Sequence, residues 1–289
     1  MRLARWQQQE DPNAEKPPAW GFVEGEAVWP VAADAPDLVT ALARGPAGLS
    51  ALRAGAGAPI ELASVRLLAP VTRPGKLICV GLNYYEHARE SGLPVPAEPL
   101  LFMKSPGSIV GPHDPIVLPP ESSQVDWEAE LAVVIGSATG PVRPSEALAC
   151  VGGYLVANDV SARDLQARDG QWIRAKSYRL FCPLGPWLTT ADEGGDGSGR
   201  RITLDVNGVR KQDGTTSDLV ADVAHIISYV SAITDLEPGD LVLTGTPAGT
   251  GIGMRPPQFL AAGDVVEVAI EGLGVLSNPV ITSERSLAA

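Results

Sequence analysis

The sequence predicts a β-rich fold with few helices, and three observations carry that reading. Apolar runs of strand length recur along the chain, glycine and proline punctuate them, and only one stretch has a clear helical apolar stripe. The strand-like runs in the larger part of the chain are Lys76 to Val80, Ser108 to Val110, Trp127 to Ile135, Tyr154 to Ala157, Ile202 to Val206, Asp240 to Leu243 and Asp264 to Ile270. The helix is expected over Ala221 to Thr234, where Val223, Ile226, Ile227, Val230 and Ile233 follow the i, i+3, i+4, i+7 spacing of a buried stripe. His225 lies off that stripe and reads as a surface residue.

Residues 1–70 read as a small, separate N-terminal unit, and residues 71–289 as the main domain. The first unit is expected to hold a strand near Arg2 to Trp6, another around Ala19 to Trp29 and a helix near Asp37 to Ala43. A stretch from Gly45 to Pro59 is rich in Ala, Gly and Pro. The run Ile60 to Leu68 follows, and Pro70 and Pro74 then mark an extended linker before Lys76.

Twenty-two basic against 34 acidic side chains leave a formal charge of −12, which repels nucleic acid and anionic membranes. No apolar stretch approaches the roughly 20 residues of a membrane helix, and the N-terminal residues have no secretion-signal pattern. Cys79, Cys150 and Cys182 form no paired motif, which fits a reducing cytoplasm and three small core residues.

Within the run Asp126-Trp-Glu-Ala-Glu-Leu-Ala-Val-Val-Ile-Gly136, Glu128 and Glu130 are one residue apart. A strand has a side-chain period of two, so both carboxylates leave one face while Trp127, Ala129, Leu131, Val133 and Ile135 leave the other. Two like charges beside a core repel and lose hydration unless a cation, an arginine or a proton lies between them. The same spacing also fits a wet face at a sheet edge, and this strand alone leaves both readings open. Asp159 ends a second strand-like run, Val151 to Asp159, and is well placed to converge on the pair. Three carboxylates with water suit magnesium, manganese or calcium rather than zinc, which prefers nitrogen and sulfur.

His87 and Glu90 are three residues apart in Gly81-Leu-Asn-Tyr-Tyr-Glu-His-Ala-Arg-Glu-Ser-Gly92, so one helical turn puts both on one face. A carboxylate beside an imidazole orients it and raises its basicity, as a general base acting on water requires; a solvated surface pair fits the spacing too. Gly81 and Gly92 flank the segment and would let it move as a lid. The glycines of Gly249-Thr-Gly-Ile-Gly253 do not read as a phosphate cradle, because no periodic helix follows and Pro256-Pro257 forbids one nearby.

Four motifs then appear in order. They are Glu-x-Glu-Leu-Ala-Val-Val-Ile-Gly from Glu128, Val-Ala-Asn-Asp-Val-Ser-Ala-Arg-Asp-x-Gln ending at Gln166, Ala-Lys-Ser-Tyr-x-x-Phe-Cys-Pro-Leu-Gly-Pro around Lys176, and Leu-Thr-Gly-Thr-Pro-Ala-Gly-Thr-Gly from Leu243. Together they closely resemble the fumarylacetoacetate hydrolase family, from roughly Lys76 to Val280. The resemblance implies an α+β fold, a mixed β-sandwich roll with a small N-terminal β-rich domain, usually paired as a homodimer. It implies a metal-dependent hydrolase cleaving a carbon–carbon bond in a β-diketo acid of the acylpyruvate or fumarylacetoacetate type. Related members decarboxylate β-keto acids such as oxaloacetate or isomerise dienoate acids, and fold alone does not choose among these. A binding protein without catalysis is disfavoured, because metal triad, dyad and lysine occur together.

By the same resemblance Glu128, Glu130 and Asp159 hold Mg2+, with Mn2+ or Ca2+ as alternatives, and His87 supported by Glu90 is the water-activating base. Lys176 lies close to the metal and offsets developing negative charge; Arg163 and Gln166 hold a substrate carboxylate; Thr246 and Pro247 face the keto-acid end. Lys104 matches a basic position of the family and fits equally well as a partner of neighbouring acids. The chain departs from the family at Lys104-Ser-Pro-Gly-Ser108 and at Arg179, which stands where relatives commonly carry aspartate. If the strand pattern holds through Lys176 to Leu180, Arg179 points away from the lysine face and tunes substrate choice only indirectly.

Overall fold

The computed structural model describes residues 1–8 and 17–283, and they form an α+β structure with mixed sheets. The larger sheet has twelve strands, and its middle runs from Cys182–Thr190 through Val151–Asn158, Ala129–Ile135 and Leu241–Leu243 to Leu77–Gly81 and the edge strand Leu100–Met103. Most pairs are antiparallel, but Leu241–Leu243 runs parallel to Leu77–Gly81. A five-stranded sheet, in the order Val209–Thr215, Arg201–Val206, Val265–Ile270, Gly274–Thr282 and Ile116–Leu118, packs against its face.

Alternation along Ala129–Ile135 explains how one strand serves two cores. Trp127, Ala129, Leu131, Val133 and Ile135 join Ile202, Leu204, Val266 and Val268 of the smaller sheet and Ile226, Ile227 and Val230 of the helix Val223–Ser231. Ala132 and Val134 face the opposite way, among Leu77, Cys79, Leu155, Leu184 and Leu241. Each large apolar side chain so buried contributes about 1.5–3 kcal/mol. With both faces covered, this run has no wet face: Glu128 is 6% and Glu130 1% exposed.

The N-terminal residues form the elements expected of them and extend the large sheet. Arg2–Gln8 pairs antiparallel with Cys182–Thr190, and Leu3, Phe22, Leu38 and Leu42 share the second core with Leu77 and Leu188. The expected second strand is a hairpin, Ala19–Glu24 and Ala27–Pro30, turned at Gly25 with φ 57°. Asp37 caps the helix Leu38–Ala43 by accepting the Thr40 amide. The stretch from Gly45 to Pro59, given no element by the sequence reading, holds the helix Gly45–Ala54. Pro46 sits in its first turn, where a missing N–H costs nothing, alanines favour the helix, and Leu49 buries itself in the core. The helix over 221–234 is shorter than expected, Val223–Ser231, because Asp222 accepts the His225 amide and so sets its start.

Candidate metal and acid–base site

Register builds the acidic cluster. Ala129 pairs with Asn158, so Glu128 and Asp159 oppose each other across the next step of the ladder, where the Asp159 amide donates to the Glu128 carbonyl at 2.9 Å. Glu130, two residues along the same face, completes the set. Ligand atoms of Glu128, Glu130 and Asp159 all lie within 4.8 Å of one another, and all three side chains are buried. The Asn158 side chain accepts the Glu128 amide at 3.0 Å and holds the start of this strand in place.

Three cations surround the cluster. Lys176 Nζ lies 2.8 Å from Glu128 Oε2 and 2.7 Å from Asp159 Oδ2, and 5.0 Å from the centre of the Phe102 ring. Lys104 Nζ lies 2.6 Å from Asp159 Oδ1 on that carboxylate's other side, so it is a partner of the acids. Arg163 sits 2.6 Å from Glu128 Oε1 through one terminal nitrogen, donates Nε to Asp126 at 2.8 Å and donates to Gln166 Oε1 at 3.0 Å. The short helices Arg163–Asp169 and Ile173–Lys176 carry Arg163 and Lys176, and Lys104 follows the edge strand Leu100–Met103.

Counting Asp126 with the triad, four buried carboxylates face three buried cations, one negative charge in excess. Glu130 carries that excess. Burial, then the charges of Asp159 and Glu128, push its carboxyl well above the usual range. Its only bond among the described residues is the Gly245 amide, at 2.7 Å to Oε2. Glu128 goes the other way: burial raises it, but Lys176 and Arg163 outweigh burial and bring it down to about 2. Lys176 is raised in turn, since Asp159 and Glu128 outweigh the burial that would lower it. An all-oxygen donor set with a surplus buried carboxylate fits a hard divalent cation, which would replace the proton that Glu130 otherwise draws.

The dyad lies near this cluster. His87 and Glu90 share the helix Tyr85–Ser91, with Nδ1 and Oε2 3.2 Å apart and both side chains mostly buried. His87 lies near enough to Glu128 for its protonated form to help lower that carboxyl, after Lys176 and Arg163. Glu90 also accepts the Gly249 amide at 2.8 Å and the Thr250 hydroxyl at 3.3 Å. Burial raises the Glu90 carboxyl, but these bonds and the one from His87 hold it below its ordinary value.

Thr246 is buried in the loop after Leu241–Leu243, and its hydroxyl accepts from Gln212 Nε2 at 2.8 Å. Gln212 also donates to the Pro247 carbonyl at 2.8 Å and accepts the Ala129 amide at 2.8 Å, tying this loop to the strand of the glutamates. Sequence reasoning missed Gln212, Asn158 and Asp126. The polar run that holds Gln212 gave no sign of burial, whereas Asp126 and Asn158 stand in runs that were noticed for their neighbours Glu128 and Asp159. Arg179 departs from its expected geometry: Lys176 ends a helix, residues 178–180 turn, Leu180 has φ 65°, and Arg179 is exposed. His225 is on the surface, where it pairs with Asp222 at 2.9 Å.

Comparison with known proteins follows this geometry closely. Residues 76–281 match the family profile described as fumarylacetoacetate (FAA) hydrolase C-terminal. The mitochondrial oxaloacetate tautomerase of Bos taurus is 47% identical over 249 residues, 84% of this chain and 79% of that one. A 2,4-didehydro-3-deoxy-L-rhamnonate hydrolase of Sphingomonas sp. (strain SKA58) is 48% identical over 233 residues, 78% of this chain and 82% of its own. The maleylpyruvate hydrolase from Sphingobium sp. SYK-6, solved in complex with manganese(II) and pyruvate, superposes with a TM-score of 0.79 at 30% identity, covering 98% of this chain and 100% of that one. With these motifs in order on one sheet and the profile spanning most of its length, the chain belongs to the fumarylacetoacetate hydrolase family.

Proposed function

We propose that this protein is a divalent-metal-dependent hydrolase that cleaves a carbon–carbon bond in a 2,4-dioxo acid. The observation that carries the reading is the His87–Glu90 pair, 3.2 Å apart and near enough to the buried triad to help lower Glu128. Mg2+ is the metal proposed, with Mn2+ as the alternative supported by the manganese in the maleylpyruvate hydrolase relative. Bound by Glu128, Glu130 and Asp159, it would supply a Lewis acid for adjacent keto and carboxylate oxygens. The remaining work falls to the chain itself. Lys176 offsets negative charge that develops near Glu128 and Asp159. His87 takes a proton from water, and Glu90 holds the imidazole in the orientation that does so. Arg163, Gln166 and Thr246 bind the acid end of the substrate, and the dioxo acid is met by a homodimer, as in the family pattern.

A second reading is keto–enol tautomerisation of oxaloacetate, which the 47% identity to the bovine tautomerase favours. The same dyad then moves a proton between carbon and oxygen without consuming water. One panel separates the readings: acylpyruvates and related dioxo acids, oxaloacetate and dienoate acids, each with Mg2+ or Mn2+ and followed by product mass. Hydrolysis yields two fragments, tautomerisation leaves the mass unchanged, and decarboxylation releases carbon dioxide. Absence of fragments from every dioxo acid overturns the hydrolase reading.

A further inference from the structure

Asp126 is a buried carboxylate that no proposed chemical step uses, and it has four partners. Oδ1 accepts the amides of Trp127 at 2.8 Å and Gly251 at 2.7 Å, while Oδ2 accepts the Ile252 amide at 3.1 Å and Arg163 Nε at 2.8 Å. It therefore holds the turn Gly249 to Gly253 from beneath. From the other side, Trp127 Nε1 donates to the Gly249 carbonyl at 3.0 Å. The outer edge of that turn is the seat of Glu90, through the Gly249 amide and the Thr250 hydroxyl.

Gly253 fits the same seat. A Cβ there would lie 2.4 Å from Glu90 Cδ and 2.7 Å from both of its oxygens, so any side chain displaces the carboxylate. The obstacle is the end of a flexible side chain, so the displacement moves Glu90 without breaking the fold.

We infer that Asp126 is a positioning residue for the His87–Glu90 dyad, acting through the Gly249–Gly253 turn. It also accepts from Arg163, a contact that Gly253 does not share. The inference rests on the acid–base role of the dyad. Asp126→Asn keeps the volume but turns one acceptor into a donor, which in either orientation faces two N–H groups, those of Trp127 and Gly251 or those of Ile252 and Arg163. Gly253→Ala disturbs the seat from the other side and leaves Arg163 untouched.

The test combines both variants with hydrogen exchange on the substrate-free protein and with kinetics on whichever acid the panel shows is turned over. Expected is faster exchange in segments 85–92 and 249–253 for both variants, with Mn2+ affinity retained. Both should lower kcat at least tenfold with little change in KM. In a Glu90→Ala background neither substitution should lower kcat further, because the seat then has no occupant. Unchanged exchange in segment 85–92 for both variants overturns the inference whatever the reaction is. So does a loss for Asp126→Asn that rises in KM and persists in the Glu90→Ala background, which would assign Asp126 to Arg163 alone. Exchange changes without the kinetic losses would instead count against the acid–base role of the dyad.

Discussion

Lys104 and Asp159 form an ion pair with both side chains wholly excluded from solvent, Nζ to Oδ1 2.6 Å. Lys176 occupies the other oxygen of the same carboxylate, so Asp159 is held between two ammonium groups. Removing one partner of a buried pair leaves the other uncompensated. Lys104→Met should therefore destabilise the metal-free protein by about 3–5 kcal/mol. Saturating Mg2+ supplies positive charge beside Asp159 and should recover part of the loss. Thermal unfolding with and without Mg2+ checks this; an equal loss in both conditions would show that Asp159 does not meet the cation.

Glu130 makes the metal-free protein sensitive to pH in a defined direction. Its folded carboxyl is raised, so the stability it contributes is full below the unfolded value, about 4.3, and is lost as pH rises through the raised folded value. Glu130→Gln removes that penalty. Metal-free Glu130→Gln should melt above the parent at neutral and alkaline pH, by about 2–4 °C for each kcal/mol relieved, while losing most of its Mn2+ affinity. A variant that melts below the parent at pH 8 would show that Glu130 is not the surplus charge.

His87→Ala should leave metal affinity near the parent value, since no triad ligand is lost, and should lower turnover by about 10²–10⁴. Titration calorimetry with Mn2+ and steady-state rates read the two separately. Parent-like turnover would place the base elsewhere.

Gln212→Leu removes the partner of the buried Ala129 amide and frees Thr246 and the Pro247 carbonyl. Each buried group left unpaired costs about 1–3 kcal/mol. The variant should unfold at lower denaturant concentration and show a raised KM, through the loosened Thr246 loop, with kcat less affected. A fall in stability with KM unchanged would separate Thr246 from substrate binding.

The sequence made the ligand strand legible because a period of two is a local property: Glu128 and Glu130 needed no partner to be put on one face. What it left open, a wet edge or a buried pair, depended on what covers that face, and the answer lies in residues far along the chain: Lys104, Arg163 and Lys176 against the acids, and Leu3, Phe22, Leu38 and Leu42 in the core on that side. Asp159, His87, Glu90, Lys176 and Arg163 came from motifs, and of their meetings only that of Asp159 with Glu128 follows from the Ala129–Asn158 register. Gln212 was out of reach, since its run Val-Arg-Lys-Gln-Asp-Gly-Thr reads as polar and its partner amide is 83 residues away. The helix Gly45–Ala54 was hidden by glycine and proline at its start, where both are tolerated. Arg179 was misplaced because alternation was carried across a turn that Leu180 makes with a left-handed backbone.

The shared strand also bears on how the chain finds its pairing. A slip of one residue along Ala129–Ile135 would aim Glu128 and Glu130 at Ile202, Leu204 and Val268, and pull Leu131 and Val133 into the ring of ammonium groups. The carboxylates that gather a cation in the correct pairing thus veto the slipped one, because no counter-charge waits on the apolar side. An engineered chain with leucines in place of the acidic triad and methionines in place of Lys104 and Lys176 would bury fewer charges and have no such veto. Its gain in melting temperature would come with a mixture of pairings, so the acids that assemble the site also tell the strand where to stop.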